Sequence, residues 1–523
     1  MNNKKKEFNY SNFALFKGIK KYFKFDTYGA ILKKEIIGGI TTFLAMCYIL
    51  SVNPSIVGSS PINPTDLSVG FASQYQAGLF LTTAISSFLA TMFMGLWARV
   101  PVALAPGMGL NAFFAFTVAQ SVGFESALSI TILSGIFYLI IAVTPLRNKI
   151  TKAIPTNFKI AIGAGIGLFI AFLGLQNAGI IAGSENVPIS KLGDFTNPLV
   201  ILAICLIILG LILHFAKVPG AMIITILLGA IILIILCVSG AVVSTDIKGN
   251  PLPNYGLLGD YSDFSSFPDV AKAGWLGFAN PNMWTNPMTY IGVLSFLYMD
   301  FFDTTGSLIV INRMIDLDKR TQNWMVKANQ VDAISTIVGA GIGATTVTSF
   351  VESTTGVAAG AKTGLASVVT ALCFGLSIAI WPIMKVFMPI NNLQPISSVA
   401  LVVVGAILLT QIRNFEWEIF ADIPMLFITI IMMTLTNSIA HGLSFGMICF
   451  VLMNGSLGMM QKIRHHKKVV NDLSIPISDT INEVKTREFN YIKRVNWTCI
   501  IIAIISLAYI IIESGFNYAN WFK

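Results

Sequence analysis

Apolar runs that recur from Ile36 to Glu513 constrain the fold of this chain more than any other feature. Each run approaches the roughly 20 residues that an α-helix needs to cross the hydrocarbon core of a bilayer. Charged residues make up only 11% of the chain, against about 25% in a typical soluble domain. So few charges cannot cover a water-facing surface, and the sequence therefore predicts an all-α polytopic membrane protein.

The spacing of these runs predicts about 14 transmembrane segments. The predicted spans cover residues 36–57, 76–98, 103–119, 127–145, 158–178, 198–216, 218–240, 288–312, 326–344, 347–360, 364–386, 396–411, 420–440 and 442–460. A last apolar run, 497–513, could be a further span or could lie along the interface, and the sequence leaves this open.

The placement of the basic residues predicts the orientation in the membrane. The net charge is +9, and lysines are concentrated between Lys4 and Lys34, directly before the first span. The even-numbered connections are also basic, including the loop 461–496, whereas the stretch 241–287 is acidic. Lys and Arg favour the cytoplasmic side, so we expect a cytoplasmic N-terminus, an extracellular 241–287 loop and a location in the cell membrane. The same distribution argues against nucleic acid as a partner.

Two predicted spans, the third and the tenth, are short and interrupted. Ala105–Asn111 contains a proline and glycines, which break a helix, and Thr345–Glu352 is rich in β-branched residues, which favour an extended backbone. Each is the third span of a seven-span half. Matched interruptions in two halves indicate a transporter whose binding site lies between inverted repeats.

Three acidic residues lie within or beside the apolar spans. Asp303 is near the middle of the eighth span, Asp300 lies three residues earlier on nearly the same helical face, and Glu352 follows the extended part of the tenth. An ionised carboxylate at the bilayer centre costs at least about 2.5 kcal/mol. These acids are therefore candidates for binding a polar solute or a proton, and the alternative is that they pair with Lys, Ser or Thr to hold helices together.

Other polar and aromatic residues are weaker candidates. Asn111 follows the break in the third span and offers a donor and an acceptor, and Phe114 could stack on a flat ring or simply pack between spans. We expect Asp332, which lies near a basic loop, to form a salt bridge. Neither the cysteines nor the histidines show a metal-ligand spacing, and no metal or cofactor is predicted.

Four motifs resemble one known family. The segment Thr41–Ile49 (TTFLAMCYI), followed by Asn53-Pro54, is similar to the first span of the adenine/guanine/hypoxanthine permeases, a branch of the nucleobase–ascorbate transporter superfamily. Three further segments resemble the third, eighth and tenth spans of these permeases: Ala103–Phe114 (ALAPGMGLNAFF), Asp300–Ser307 (DFFDTTGS) and Thr348–Gly360 (TSFVESTTGVAAG).

The resemblance implies two inverted seven-span repeats that form a core domain and a gate domain, with a homodimer as the assembly. The implied organisation is a tail at 1–35, core segments at 36–147 and 288–386, gate segments at 158–240 and 396–523, and the extracellular loop 241–287. The substrate-binding residues implied are Asn111, Asp303, Glu352 and Phe114. Relatives in the uracil branch carry a histidine four residues after the acid of the eighth span, where this chain has Ser307.

We therefore expect a secondary transporter that imports purine nucleobases by elevator-type alternating access. The coupling cation is expected to be H⁺ in preference to Na⁺, carried by Asp303, Glu352 or Asp300. One alternative is a transporter of the same fold for a pyrimidine or an anion. A second is a membrane-embedded enzyme with two carboxylates as general acid and base.

Overall fold

A computed structural model shows how these segments fold. The structure describes residues 14–61, 72–144, 155–182, 191–216, 218, 221–239, 262–315, 324–381, 393, 395–436 and 439–472, together with isolated residues from 495 to 510. The chain forms two compact units, one made of residues 1–144 and 176–400 and the other of residues 145–175 and 401–523.

Helices account for most of the described residues. In chain order they are α1 Ala14–Tyr22, α2 Phe25–Tyr28, α3 Leu32–Met46, α4 Ile49–Val57, α5 Ala72–Phe93, α6 Met108–Phe113, α7 Ala119–Val122, α8 Phe124–Val143, α9 Thr156–Asn177, α10 Pro198–Phe215, α11 Ala221–Val238, α12 Phe267–Leu276, α13 Pro281–Thr285, α14 Pro287–Ile315, α15 Trp324–Gly341, α16 Ser353–Ala358, α17 Gly364–Leu376, α18 Ser397–Leu409, α19 Ile423–Leu435 and α20 Ile439–Asp472. Two helices continue into π-helical turns, at Met94–Ala98 after α5 and at Phe114–Val118 between α6 and α7.

Helices lie at the predicted positions, and several are long and apolar enough to cross a membrane. Within the described ranges there are six of these: Leu32–Val57, Tyr75–Ala98, Phe124–Val143, Thr156–Asn177, Pro198–Phe215 and His441–Gln461. The chain is thus a multi-pass helical membrane protein, while the exact number of spans stays a prediction.

Three stretches differ from the sequence prediction or lie outside the structure. The described part of the 241–287 stretch folds into the short helices α12 and α13, and α12 packs against α5 and α8. Helix α20 continues to Asp472, well into the segment predicted as a basic loop. Most of the run 497–513 lies outside the described residues.

Two short strands interrupt the helices where the sequence predicts extended backbone. Strand β1, Leu104–Pro106, pairs antiparallel with a strand at Val347–Ser349. A second pair, Ile181–Ala182 with Lys191–Leu192, forms a small hairpin before α10. We number the strands in chain order, so that Ile181–Ala182 is β2, Lys191–Leu192 is β3 and Val347–Ser349 is β4.

Close contact between helices in the first unit depends on small residues. A side chain at Gly356 in α16 would collide with Thr42 and with the backbone of Gly38 in α3. Helix α17 lies equally close to α3, since a side chain at Gly39 would collide with the Ala366 carbonyl. Lipid supplies no hydrophobic driving force between helices, so their association depends on close packing. Glycines allow this packing because they have no side chain. Helix α16, which follows Glu352, is therefore held against the first span.

In the second unit, helices α19 and α20 form an antiparallel pair. Gly442 and Gly446 of α20 lie directly against Met433 and Thr429 of α19. A buried carboxylate, Asp422, lies just before α19 and accepts hydrogen bonds from the side-chain amides of Asn157 and Asn454, at 2.7 and 3.2 Å.

Candidate functional site

The two interrupted spans meet in the short sheet of β1 and β4. Leu104 is opposite Ser349, Ala105 is opposite Thr348, and all six strand residues are buried. Beyond the ladder, the Gly107 N–H donates to the Thr346 carbonyl at 3.0 Å. A side chain at Gly107 would collide with Thr348, which explains glycine at this position. Because neighbouring protein groups satisfy the strand backbone, non-helical chain can lie at membrane depth.

Glu352 lies where the chain leaves β4 and enters α16. Its side chain is half-buried, and the Tyr48 hydroxyl donates to Glu352 Oε1 at 3.1 Å. Tyr48 belongs to the turn between α3 and α4, so this bond joins the tenth predicted span to the first. The Tyr48 hydroxyl thus binds one of the two carboxylate oxygens.

Asp303 lies in the middle of α14 and is exposed in the structure. The Thr348 hydroxyl of β4 donates to Asp303 Oδ2 at 3.2 Å. Helix α14 packs against both β4 and α16, and the charges of Asp303 and Glu352 are close enough to interact. The structure therefore brings these two predicted site residues together beside the strand pair.

Asn111 is placed differently, because it is completely buried beneath the strands. Its Nδ2 donates to Asn53 Oδ1 at 2.5 Å, and its Oδ1 accepts a hydrogen bond from the Thr345 hydroxyl. Asn53 in turn donates to Thr83 of α5 at 2.7 Å. In this arrangement the Asn111 side chain links α6, α4 and the residues before β4, and thereby positions the strand pair.

Phe114 is also completely buried, and its ring packs edge-on against Phe124 with 5.7 Å between centroids. The neighbouring Phe113 packs in the same way on Phe296 of α14, at 5.0 Å. Both rings thus pack between helices, which is the alternative that the sequence left open.

Asp300 lies behind Asp303, at the buried side of α14. The Thr336 hydroxyl of α15 donates to Asp300 Oδ2 at 2.9 Å, and this hydroxyl also lies 3.1 Å from the Val347 carbonyl of β4. The second oxygen, Asp300 Oδ1, is buried and has no hydrogen-bond partner among the described residues.

Among the described residues, no Lys, Arg or His forms a salt bridge with Asp332. It is completely buried in α15 and accepts hydrogen bonds from the hydroxyls of Thr304, at 2.7 Å, and Ser349, at 3.3 Å. The basic loop that precedes α15 includes residues 316–323, which lie outside the described residues, so the predicted salt bridge stays a prediction. The described surroundings of the Asp332 side chain are α14 and β4. Thr304 also lies 3.3 Å from the Thr348 hydroxyl that binds Asp303. Hydroxyl groups therefore connect Asp303 to Asp332 through Thr348 and Thr304.

The donors around these acids are hydroxyl groups. Among the described residues, no Lys, Arg or His forms an ion pair with any of the four acids, and the ion pair found there joins Lys272 to Asp269. A buried carboxylate without a cationic partner pays a large desolvation penalty. A bound proton or the N–H groups of a ligand would remove that penalty.

Sequence reasoning missed Tyr48, Thr304, Thr336 and Ser349, which contact the acids. One signal was available, because Asp332 and Thr336 are four residues apart and share a helical face, as do Asp300 and Thr304. The part of the chain that the structure describes contains no group of three or more His, Cys, Asp or Glu side chains that could hold a metal ion.

Interrupted spans that meet in the fold, with acids beside them, are typical of membrane transporters. Comparison with known proteins identifies the family. The chain belongs to the Permease family (Xan_ur_permease), whose family model matches residues 33–445.

Two relatives confirm the purine-permease resemblance that the sequence motifs predict. The guanine/hypoxanthine permease PbuG of Bacillus subtilis (strain 168) is 36% identical over 439 residues, covering 83% of this chain and 93% of that protein. The adenine permease AdeQ of Escherichia coli (strain K12) is 30% identical over 445 residues, covering 84% of this chain and 91% of that protein. The family and these relatives are permeases, and this chain is accordingly a transporter and not an enzyme.

A solved structure shares the fold at low sequence identity. The transmembrane domain of a cyanobacterium bicarbonate transporter, BicA, aligns with a TM-score of 0.50 and 12% identity, covering 79% of this chain and 96% of that one. This similarity concerns the fold alone.

Proposed function

We propose that this permease imports purine nucleobases, namely adenine, guanine or hypoxanthine, in symport with protons. The observation that carries the proposal is the pair Asp303 and Glu352, which lie beside the paired strands with hydroxyl donors and no cation among the described residues. The names of the relatives, guanine/hypoxanthine permease and adenine permease, support the choice of solute.

Purine bases carry several N–H groups on their rings and exocyclic nitrogens, which are the groups that a carboxylate can accept. Asp303 Oδ1 and Glu352 Oε2 each lie next to an oxygen that already accepts a hydroxyl hydrogen bond. In the proposed complex Asp303 Oδ1 and Glu352 Oε2 each accept one N–H of the base. A charge-assisted hydrogen bond of this kind contributes about 1.5–3 kcal/mol. An anion would instead be repelled by both groups.

Asn111 and Phe114 have supporting roles in this proposal. The Asn111 amide holds the segment before β4 through Thr345, and Phe114 fills the space beside Phe124. We therefore expect substitutions at Asn111 to lower transport at least through the position of β4, and direct contact of Asn111 or Phe114 with the base stays a prediction.

Protons are the proposed coupling ion, with Asp303 as the first candidate carrier and Glu352 and Asp300 as the others. Asp303 is accessible and connects through Thr348 and Thr304 to buried Asp332. A carboxyl group that the transport cycle alternately buries and exposes can bind a proton when buried and release it when exposed. The serine at position 307, where the uracil branch has histidine, leaves the carboxyl groups as the carriers.

Transport is proposed to proceed by elevator-type alternating access, with two inverted seven-span repeats forming the core (36–147 and 288–386) and the gate (158–240 and 396–523). The proposal includes a homodimer in the cell membrane, with a cytoplasmic N-terminus.

Labelling of single cysteines introduced at Thr27 and at Asp194 in intact cells tests the orientation, because only position 194 should react with an impermeant reagent.

Uptake of radiolabelled adenine, guanine and hypoxanthine into proteoliposomes tests the function. We expect an inward proton gradient to drive accumulation of at least one base, and an equal sodium gradient to have no effect. Unlabelled uracil and bicarbonate should not compete. Accumulation driven by sodium alone would contradict the coupling, and competition by uracil or bicarbonate would contradict the solute.

Equilibrium binding of the transported base to purified protein separates substrate contact from coupling. D303N and E352Q should each weaken binding about tenfold or more, because an amide offers only one acceptor oxygen and no charge. D194N is the matched control, since Asp194 is an exposed acid whose partner is Thr196. Wild-type affinity in both site variants would overturn the assignment.

A further inference from the structure

The segment before the first span docks on the end of the first unit through aromatic side chains. Phe23 and Phe25 are buried and pack with Leu365 of α17, and Ile19 and Leu32 border the same cluster. Two short helices, α1 and α2, are thereby fixed at the end of the unit where α3 begins and α17 begins.

A second contact places α1 beside the end of the second predicted span. The Tyr22 hydroxyl donates to the Leu96 carbonyl at 2.8 Å, and the Arg99 guanidinium lies over the Tyr22 ring, 4.1 Å from its centroid. Trp97 lies in the same turn with half of its surface exposed, and Lys327 is 5.7 Å from the centroid of its ring. Exposed Tyr and Trp at the ends of spans mark the headgroup level of a bilayer.

The first turn of α3 independently indicates where the headgroup level of the bilayer lies. Lys33 and Lys34 are exposed, and they are followed closely by exposed Ile36, Ile37 and Ile40. In a membrane protein this exposed apolar stripe faces lipid, so the change from lysine to isoleucine marks the boundary between headgroups and hydrocarbon.

The outward side of the docked segment is strongly basic. Four lysines of this segment are exposed and form no ion pair within the described part of the chain: Lys17, Lys20, Lys21 and Lys24. Asp26 is the exposed acid of the segment, and Glu35 is buried, where it accepts the backbone N–H groups of Lys362 and Thr363. The exposed charge at headgroup level is thus positive.

We propose that the segment Ala14–Lys34 is a binding surface for anionic phospholipid headgroups. The aromatic side chains attach the segment to the protein, and the lysines bind the phosphate groups of the adjacent leaflet. An amphipathic helix with lysines on its polar face is suited to this interface, and each Lys or Arg near an anionic surface strengthens binding about fivefold.

Hydrogen exchange of the full-length protein in nanodiscs tests this surface. The backbone amides of residues 14–24 should exchange at least about fivefold more slowly in discs containing phosphatidylglycerol than in discs of phosphatidylcholine alone. The difference should shrink in molar salt, because the charges are exposed and screened. Equal exchange in the two lipids would overturn the proposal.

Two matched variants identify the side chains responsible for the difference in hydrogen exchange between the two lipids. The K17Q/K20Q/K21Q/K24Q protein should lose the difference between lipids, whereas the K17R/K20R/K21R/K24R protein should keep it. A Gln variant that retains the full difference would overturn the assignment to these lysines. Uptake in neutral lipid, equal to that of the wild type, would show that the Gln variant is folded.

Inorganic phosphate distinguishes a lipid surface from a simple anion site. Millimolar phosphate added to the protein in neutral nanodiscs should leave the exchange of residues 14–24 unchanged. Protection by free phosphate as large as that by phosphatidylglycerol would overturn the proposed lipid surface.

Discussion

Asp332 in the first unit and Asp422 in the second are both completely buried carboxylates, but different donors hold them. Asp332 accepts hydrogen bonds from the hydroxyls of Thr304 and Ser349. Asp422 accepts them from the amide groups of Asn157 and Asn454. A hydroxyl can donate or accept, whereas an amide NH₂ group only donates. The hydroxyl-bound acid can therefore bind a proton without losing its partners, whereas the two amide groups at Asp422 each need an acceptor.

The difference indicates separate roles for buried acids in the two units. In the first unit, Asp300 and Asp332 both contact hydroxyls that also border the strand β4, next to the proposed substrate ligands. In the second unit, Asn157 also accepts the Glu416 N–H at 3.1 Å, so Asp422 belongs to a network that fixes the start of α19. We infer that the first arrangement serves proton exchange and the second serves stability.

The largest expected effect comes from replacing Asp332, the buried acid that hydroxyl groups connect to Asp303, the first candidate proton carrier. D332N should reduce gradient-driven uptake to the level of protein-free vesicles, because an amide cannot exchange a proton with Asp303 through these hydroxyls. Its hydroxyl partners can still donate to the amide oxygen or accept from the nitrogen, so the protein should remain folded. Uptake and thermal unfolding of the same preparation measure both quantities.

Equilibrium exchange of base across the membrane, without a gradient, is the control for D332N. Exchange does not require net proton movement, and we expect it to survive. Loss of both uptake and exchange in a folded protein would contradict a role confined to coupling.

The next largest effect is a loss of stability in the second unit. D422N places an NH₂ group opposite Asn157 or Asn454, and an unsatisfied buried donor lowers the free energy of unfolding by about 1–3 kcal/mol. Chemical unfolding in detergent measures this change, and uptake per folded molecule should stay close to that of the wild type.

The D422N/N157D double variant sharpens this prediction. It exchanges the carboxylate and the amide, and the carboxylate introduced at position 157 can still accept the Glu416 N–H. We expect the double variant to recover most of the lost stability. A double variant less stable than D422N would show that Asp422 acts through other contacts.

Most of the helical architecture could be predicted from the sequence, because apolar runs of sufficient length have few alternatives in a membrane. The breaks at Pro106 and before Glu352 were also predictable, since proline and β-branched residues act locally. The pairing of β1 with β4 was not, because it joins residues far apart in the chain. Asp303 and Glu352 both lie beside the strand pair, and their role in binding the base stays a prediction.

The predictions for Asn111 and Phe114 show why it is difficult to predict which way the side chains of an interrupted span point. A π-helical turn covers Phe114–Val118, directly after α6. Such a turn adds a residue to the helical repeat, so the side that each residue faces no longer follows the usual spacing. The structure places both side chains inside the protein, and whether either contacts the base stays a prediction.

A smaller effect is expected at Thr336, whose hydroxyl donates to Asp300. T336V removes this donor and also the 3.3 Å contact with the Val347 N–H, at an expected cost of about 1–2 kcal/mol. T336S keeps the hydroxyl and should stay within experimental error of the wild type. Chemical unfolding distinguishes the two variants, and equal stabilities would mean that the hydroxyl contributes nothing to the site.

The smallest effect concerns an acid that water surrounds. The Thr196 hydroxyl and backbone N–H donate to Asp194 at 2.6 and 2.9 Å, and these bonds hold the pKa of Asp194 below its ordinary value. Because the pKa is lowered, the ionised carboxylate stabilises the folded loop at pH values above the ordinary pKa of an aspartate. This stabilisation is lost as the pH falls through the lowered pKa. T196V should move the pKa of Asp194 back towards the ordinary value, as measured by NMR titration, while T196S should not. Uptake should be unchanged in both, because Asp194 is an exposed acid whose partner is Thr196 and not a proposed site residue.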